Sequence, residues 1–275
     1  MTTAPTLDWQ AGRLEAALQA LRPGLVVQVV AEDASTNATL VARGRGPGAP
    51  AAACLLVAEH QTAGRGRMGR SWLSARGDSL TFSLALACAP TDWSGLSLAV
   101  GVALADALDG AGTAIGLKWP NDLWLRDGPG GRGRKLGGVL IETLAAGGTW
   151  QCVIGVGLNV RLRAFEGLET GCASLQELAP EASAPAALHR VAEPLLRAVL
   201  RFEREGFGGF AEGFARRDLL RGLPVRTTQA GLPEALAAGV DVDGALLVRD
   251  AEQRLHRIVS GEVSIRPAQP TPEPA

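Results

Sequence analysis

The sequence predicts an α+β fold, a mixed sheet flanked by helices and followed by a small β-barrel. Apolar runs of strand length recur through the first 160 residues, and helical patterns separate only some of them. The spacing between strands in the middle of the chain is mostly hairpin-compatible, which disfavours a doubly wound parallel sheet. After Gly222 the texture changes to short strands separated by turn dipeptides such as Asp243-Gly244.

Residues 8–21 place Trp9, Leu14, Leu18 and Leu21 on one helical face, and Pro23-Gly24 stops that helix. Residues 25–33 read as a strand, and 35–44 as a short helix capped by Ser35 or Thr36. Residues 52–61 form a buried strand, 62–72 a Gly/Arg loop and 79–88 another strand. An apolar helix follows at 94–108, with Ser94 as its N-cap. Strands are expected at 116–119, 134–144 and 149–160, with a glycine-rich loop at 127–133. A helix pair at 185–220 holds four of the six phenylalanines (202, 207, 210 and 214), a core signal. Short strands after 221 suggest a separate five- or six-stranded barrel. The expected divisions are therefore 1–220, 221–267 and a disordered, Pro-rich tail at 268–275.

Composition excludes several classes. Net charge is −1, unlike a chain built to coat DNA or anionic membrane. Four cysteines without C-x-x-C spacing and three dispersed histidines disfavour a zinc site. Cys54, Cys88 and Cys152 lie in apolar runs and read as reduced core residues. The first 20 residues lack a secretory pattern and no run of 18 apolar residues occurs, so a cytoplasmic location is expected. Only Lys118 and Lys135 among 27 basic residues are lysine, asparagine occurs only at 37, 121 and 159, and tyrosine is absent. A codon bias accounts for such a pattern. Its five exceptions merit inspection, because Arg and Lys are not interchangeable.

Four segments are candidates for chemistry. Gly64 to Gly69 (GRGRMG) formally contains G-x-G-x-x-G, yet a strand rather than a helix is expected next, against a dinucleotide fold. The alternatives are a solvated basic turn, or a mobile loop in which Arg65, Arg67 and Arg70 grip a focal anion. Lys118-Trp119-Pro120-Asn121-Asp122 ends a strand. It is either a simple turn or a site where Asp122 holds Mg²⁺ or acts as a base. Lys135 opens an apolar strand containing Gly137-Gly138; it is either a surface lysine at a strand start or part of a site where the glycines let a ligand approach closely. Asn159 ends another buried strand, as a simple strand-end cap or as a site residue.

Taken in order, Ser35-Thr36-Asn37, AEHQTAGRGRMGRSW (58–72), KWPND (118–122), KLGGVLIE (135–142) and IGVGLNV (154–160) resemble the biotin protein ligases. The resemblance runs over about residues 25–266. It implies a synthetase-like mixed sheet with a C-terminal SH3-like domain, and a two-step reaction. Biotin and ATP would give biotinyl-AMP, whose acyl group passes to a lysine of a biotin carboxyl carrier domain. Implied catalytic groups are Lys135, Arg67 and Asp122. Biotin would be held by Ser35, Thr36, Asn37, Gln61, Gly64, Arg65, Gly66, Arg67, Lys135 and Gly138. The nucleotide would be held by Arg65, Arg67, Arg70, Trp72, Lys118, Asn121, Asp122, Lys135 and Asn159, with Mg²⁺ at Asp122. A second copy of the chain is an implied partner; nucleic acid and membrane are not. Only 34 residues precede Ser35, whereas a DNA-binding helix-turn-helix module needs roughly 60, so a ligase without repressor function is expected. Two departures from the family pattern stand out. Ala34 separates Asp33 from Ser35, and the loop before Lys135 is long. The competing readings are a lipoyl or octanoyl ligase of the same fold and a non-catalytic biotin-sensing module.

Overall fold

Strands at the centre of the sheet are apolar at nearly every position because helices cover both of its faces. The computed structural model describes residues 6–46, 52–128, 133–146, 149–162, 171–229, 231–259 and 266–267. The tail at 268–275 and most of the loop expected before Lys135 lie outside the described residues. In chain order the elements are α1 (Ala11–Gln19), β1 (Val26–Asp33), α2 (Thr36–Arg45), β2 (Cys54–Gln61), β3 (Gly64–Arg65), β4 (Ser71–Trp72), β5 (Ser79–Ala87), α3 (Leu96–Leu108), β6 (Ile115–Lys118), β7 (Asp122–Leu125), β8 (Arg134–Ala146) and β9 (Thr149–Asn159). There follow α4 (Ala184–Glu205), α5 (Ala211–Arg217), β10 (Pro224–Arg226), β11 (Glu234–Val240), β12 (Leu246–Arg249), β13 (Leu255–Ile258) and β14 (Arg266–Pro267).

The main sheet runs β1-β2-β5-β9-β8-β7-β6. Only β1 and β2 are parallel, joined through α2; every other pairing is antiparallel. Successive side chains point to opposite faces, and the two faces bury different sets. Leu55 and Val57 of β2 join Leu84, Val100, Leu195 and Phe202 in the large core with α1, α3 and α4. Cys54 and Leu56 join Leu40, Val41, Ala85, Leu144 and Val153 in a smaller core under α2. The four phenylalanines of the helix pair are all buried.

The five strands β10–β14 form a separate antiparallel sheet in the order β13-β12-β11-β10-β14, compatible with an SH3-like domain. Its β11–β12 turn reaches the main body, where the buried Trp119 indole donates to Gly244 O at 3.0 Å. Some local expectations need correction. Ser94 is not a cap: α3 starts after Gly95 at φ 78°, with no side-chain cap. The stretch 64–72 is not plain loop but the β3–β4 hairpin, and β7 has no counterpart among the expected strands.

Buried Arg217 ties the end of α3 to β6. It bonds Asp106 Oδ1 (2.8 Å), Asp109 Oδ2 (3.1 Å), and the carbonyls of Asp109 (2.7 Å) and Ile115 (2.9 Å). Burial alone would raise the Asp109 carboxyl. The Ile115 amide, Arg217 and the Ala114 amide outweigh it and hold the group below the ordinary carboxylate range. Arg217→Met should therefore cost about 3–5 kcal/mol at neutral pH in urea unfolding. A depressed carboxylate contributes above its unfolded pKa of about 3.9 and loses that contribution as pH falls through its folded value. The gap between wild type and variant should accordingly shrink below about pH 4.

Candidate active site

On the face that carries α2, the sheet narrows to glycines and small hydroxyl side chains beside the helix N-terminus. The register aligns Ser83 with Gly155, and Thr81 with Gly157 and then Gly138. A Cβ on Gly155 would lie 2.5 Å from Asn37 Oδ1, and one on Gly157 2.5 Å from the Trp72 indole. Both distances are far inside van der Waals contact, so only glycine allows those groups to rest on the strand. Over this floor lies a cavity of about 410 Å³.

The polar end of the cavity is built at the start of α2. Ser35 caps the helix, accepting from Ala38 N at 3.4 Å. Despite the intervening Ala34, Asp33 still secures this turn through Ser35 N (2.7 Å) and Thr39 Oγ1 (2.9 Å). Thr36 donates its amide to Gln61 Oε1 at 2.8 Å, and its hydroxyl lies 3.0 Å from the same oxygen. Ser83 Oγ sits 2.7 Å from Thr36 Oγ1 and donates to Asn37 Oδ1 at 2.8 Å.

The cationic end depends on a bulge. Leu123 pairs with Gly137 but Trp124 pairs with Lys135, leaving Leu136 as the extra residue. Leu136 turns into the large core, while Lys135 and Gly138 both line the cavity. Lys135 Nζ meets Asp122 Oδ1 at 2.8 Å. Gly138 leaves room for that pair, since a Cβ there would lie 3.2 Å from Asp122 Oδ1. Lys118 Nζ stands 4.3 Å over the Trp124 ring.

The β3–β4 hairpin forms one wall. Gly64 pairs with Trp72 and Arg65 with Ser71, and Met68 (φ 56°) and Gly69 (φ 72°) make the turn. No helix follows, so the dinucleotide pattern has no structural counterpart. Arg67 leans back to donate to Asn121 Oδ1 at 3.3 Å. Burial lowers its guanidinium, and the negative charge of Asp122 opposes that shift. Trp72 Nε1 is buried and makes no hydrogen bond to the described residues.

Ser35, Thr36, Asn37, Gln61, Arg65, Gly66, Arg67, Arg70, Trp72, Lys118, Asn121, Asp122, Lys135 and Gly138 are thus brought to one cavity. Gly64 and Asn159 are not on its wall. Gly64 lets the hairpin close tightly, and Asn159 Nδ2 donates to the carbonyls of Lys135 (3.3 Å) and Ala173 (3.1 Å), behind the site. Sequence reasoning missed Ser83, Gly155 and Gly157. The small residues alternating along IGVG were the available signal. Among the described residues no three His, Cys, Asp or Glu side chains gather as a metal cage.

Residues 34–159 match the model of the biotin/lipoate A/B protein ligase family. The chain is similar to the biotin–[acetyl-CoA-carboxylase] ligase of Mycobacterium tuberculosis, 36% identical over 232 residues, covering 79% of this chain and 80% of that protein. It is also similar to the bifunctional ligase/repressor BirA of Escherichia coli K12, 34% identical over 221 residues, covering 78% of this chain and 66% of that protein. Among solved structures, a biotin protein ligase from Aquifex aeolicus in complex with biotin and ATP has a TM-score of 0.71 at 27% identity. That match covers 90% of this chain and 100% of that one.

The floor makes a direct prediction. Gly157→Ala should shift the Trp72 indole N–H resonance in an amide-correlation spectrum and leave that of the distant Trp9 in place. An unmoved Trp72 signal would show that the ring does not rest on this glycine.

Proposed function

The chain belongs to the biotin protein ligase family, and from that premise we infer how its residues activate biotin with ATP and pass the biotinyl group to a lysine of a biotin carboxyl carrier domain. The observation that carries this reading is one cavity with two chemically distinct ends. Thr36, Gln61, Ser83 and Asn37 make a hydrogen-bonding end. Lys135, Arg67, Arg65 and Lys118 make a cationic end. A ureido ring needs the first, and a carboxylate approaching a phosphate needs the second.

In the first step a biotin carboxylate oxygen attacks the α-phosphorus, an O–P bond forms, and the bond to pyrophosphate breaks. Both reactants are anionic, so Lys135 lowers the barrier by standing between them. Asp122 holds the Lys135 ammonium in position through their 2.8 Å ion pair. Asp122 is the carboxylate of this end of the cavity and would hold Mg²⁺ there, with the nucleotide supplying most of the remaining ligands. When bound, that ion screens the triphosphate charge. Trp72 packs against the adenine, and Asn159 acts by fixing the Lys135 backbone rather than from the cavity wall. In the second step the carrier lysine nitrogen attacks the acyl carbon, AMP leaves, and the ammonium proton is lost. Asp122 orients that incoming amine. The glycine-rich hairpin excludes water from the anhydride between steps.

A lipoyl or octanoyl group has no hydrogen-bond donors for the polar end and would leave its buried groups unpaired, which favours biotin. The intact Lys135, Arg67 and Asp122 favour an enzyme over a sensing module. A second copy of the chain would add at an edge of the main sheet, whose terminal strands are β1 and β6. Free thiols at Cys54, Cys88, Cys152 and Cys172 favour the cytoplasm. Among the described residues no helix is long and apolar enough to cross a membrane.

Pyrophosphate release should require biotin; release driven by lipoate or octanoate instead would favour the alternative ligase. Lys135→Ala should lower single-turnover adenylation about 10²–10³-fold with little change in ATP affinity. Lys135→Arg should also fail, because a planar guanidinium replaces a compact charge. Arg67→Ala should release biotinyl-AMP faster.

A further inference from the structure

The polar end of the cavity continues outward to a residue with no role in the chemistry. Asn37 Nδ2 donates to Glu142 Oε2 at 2.8 Å and to Leu140 O at 3.4 Å. Both are acceptor-only, which fixes the orientation of the Asn37 amide. Its Oδ1 must then face Ser83, whose hydroxyl is 2.8 Å away and fully buried. Ser83 has one hydrogen, and Asn37 takes it. The 2.7 Å contact between Ser83 and Thr36 therefore needs the Thr36 hydrogen. Thr36 has no second hydrogen for Gln61 Oε1, 3.0 Å away, which already accepts the Thr36 amide. Three short contacts share two hydroxyl hydrogens, so Thr36 Oγ1 and Gln61 Oε1 meet without a hydrogen between them, and each keeps a lone pair for a further donor at this corner of the cavity.

The geometry assigns Glu142 and Ser83 as positioning residues that act through Asn37. Together they turn the Thr36 hydroxyl away from the cavity, so that this corner demands an N–H donor from the substrate ring. The inference rests on the ligase reading above and adds how donor and acceptor roles are set. Polarity runs inward from a carboxylate that can only accept, through an amide that does both, to two hydroxyls.

Swapping the carboxylate and the amide tests this. Asn37→Asp alone sets two carboxylates against each other and should raise KM for biotin about tenfold or more. Asn37→Asp combined with Glu142→Gln restores a donor facing an acceptor, and the carboxylate placed at position 37 still accepts from Ser83. The KM of this double variant for biotin should return to within about threefold of wild type. Ser83→Ala should raise KM for biotin while KM for ATP stays unchanged. Each protein would be assayed by biotin-dependent pyrophosphate release, with its thermal midpoint measured alongside. The relay is overturned if the double variant is no better than Asn37→Asp. It is also overturned if both KM values rise together as the midpoint falls. Normal biotin KM in every variant overturns the relay alone. A wild type that releases no pyrophosphate with biotin overturns the ligase reading and the relay with it.

Discussion

The site depends on three glycines of the sheet, Gly138, Gly155 and Gly157, that leave room above their strands. A sheet face under a helix is normally filled with apolar residues, as Leu56, Ala85 and Val153 fill it beneath the body of α2. Near the helix N-terminus the same rows hold Ser83, Gly155, Gly157 and Gly138. The vacated layer lets Asn37, Trp72 and the Lys135–Asp122 pair rest on backbone. Without that gap α2 would be a plain packing helix, and its first turn would have no cavity to face.

The odd composition of the chain acquires a physical reading at this place. Asn121 donates to Val139 O and accepts from Arg67, joining the strand end to the hairpin. Asn37 joins α2 to β5 and β8, and Asn159 gathers the two carbonyls that frame Lys135. At positions 37 and 121 one side chain must both give and receive, which neither arginine nor a carboxylate can do. Lys135 is a compact ammonium beside a carboxylate, and Lys118 covers an aromatic ring. Four of the five residues that escape the arginine-rich bias therefore line a single cavity, and the fifth, Asn159, braces it from behind.

Much of this is legible in the sequence, for identifiable reasons. Long elements announce themselves: α4 through its apolar spacing, and β2 and β9 through continuous apolar runs. The ordered motifs locate nearly all of the cavity wall. The unread features are those fixed by packing rather than local pattern. Two-residue strands such as β3 and β4 have no periodicity to detect. Ser83 lies in an alternating strand, where a polar residue reads as solvent-facing until α2 is placed over it. The Leu136 bulge is visible only in the pairing with β7, and it is what turns Lys135 into the cavity. Asn159, expected to hold the nucleotide, lies one layer behind the cavity wall, a distinction that motif order alone does not draw.

The two ends of the cavity have to act on one molecule, since recognition of a ring at one end is useful only if its acyl tail reaches Lys135 at the other. The Trp119–Gly244 bond also links the C-terminal sheet to the same wall. The most direct measurement is the intact mass of a biotin carboxyl carrier domain after incubation with the protein, Mg-ATP and an equal mixture of biotin, lipoate and octanoate. The account predicts a gain of one biotinyl group on one lysine. An unchanged mass, or a lipoyl or octanoyl adduct in its place, would contradict it.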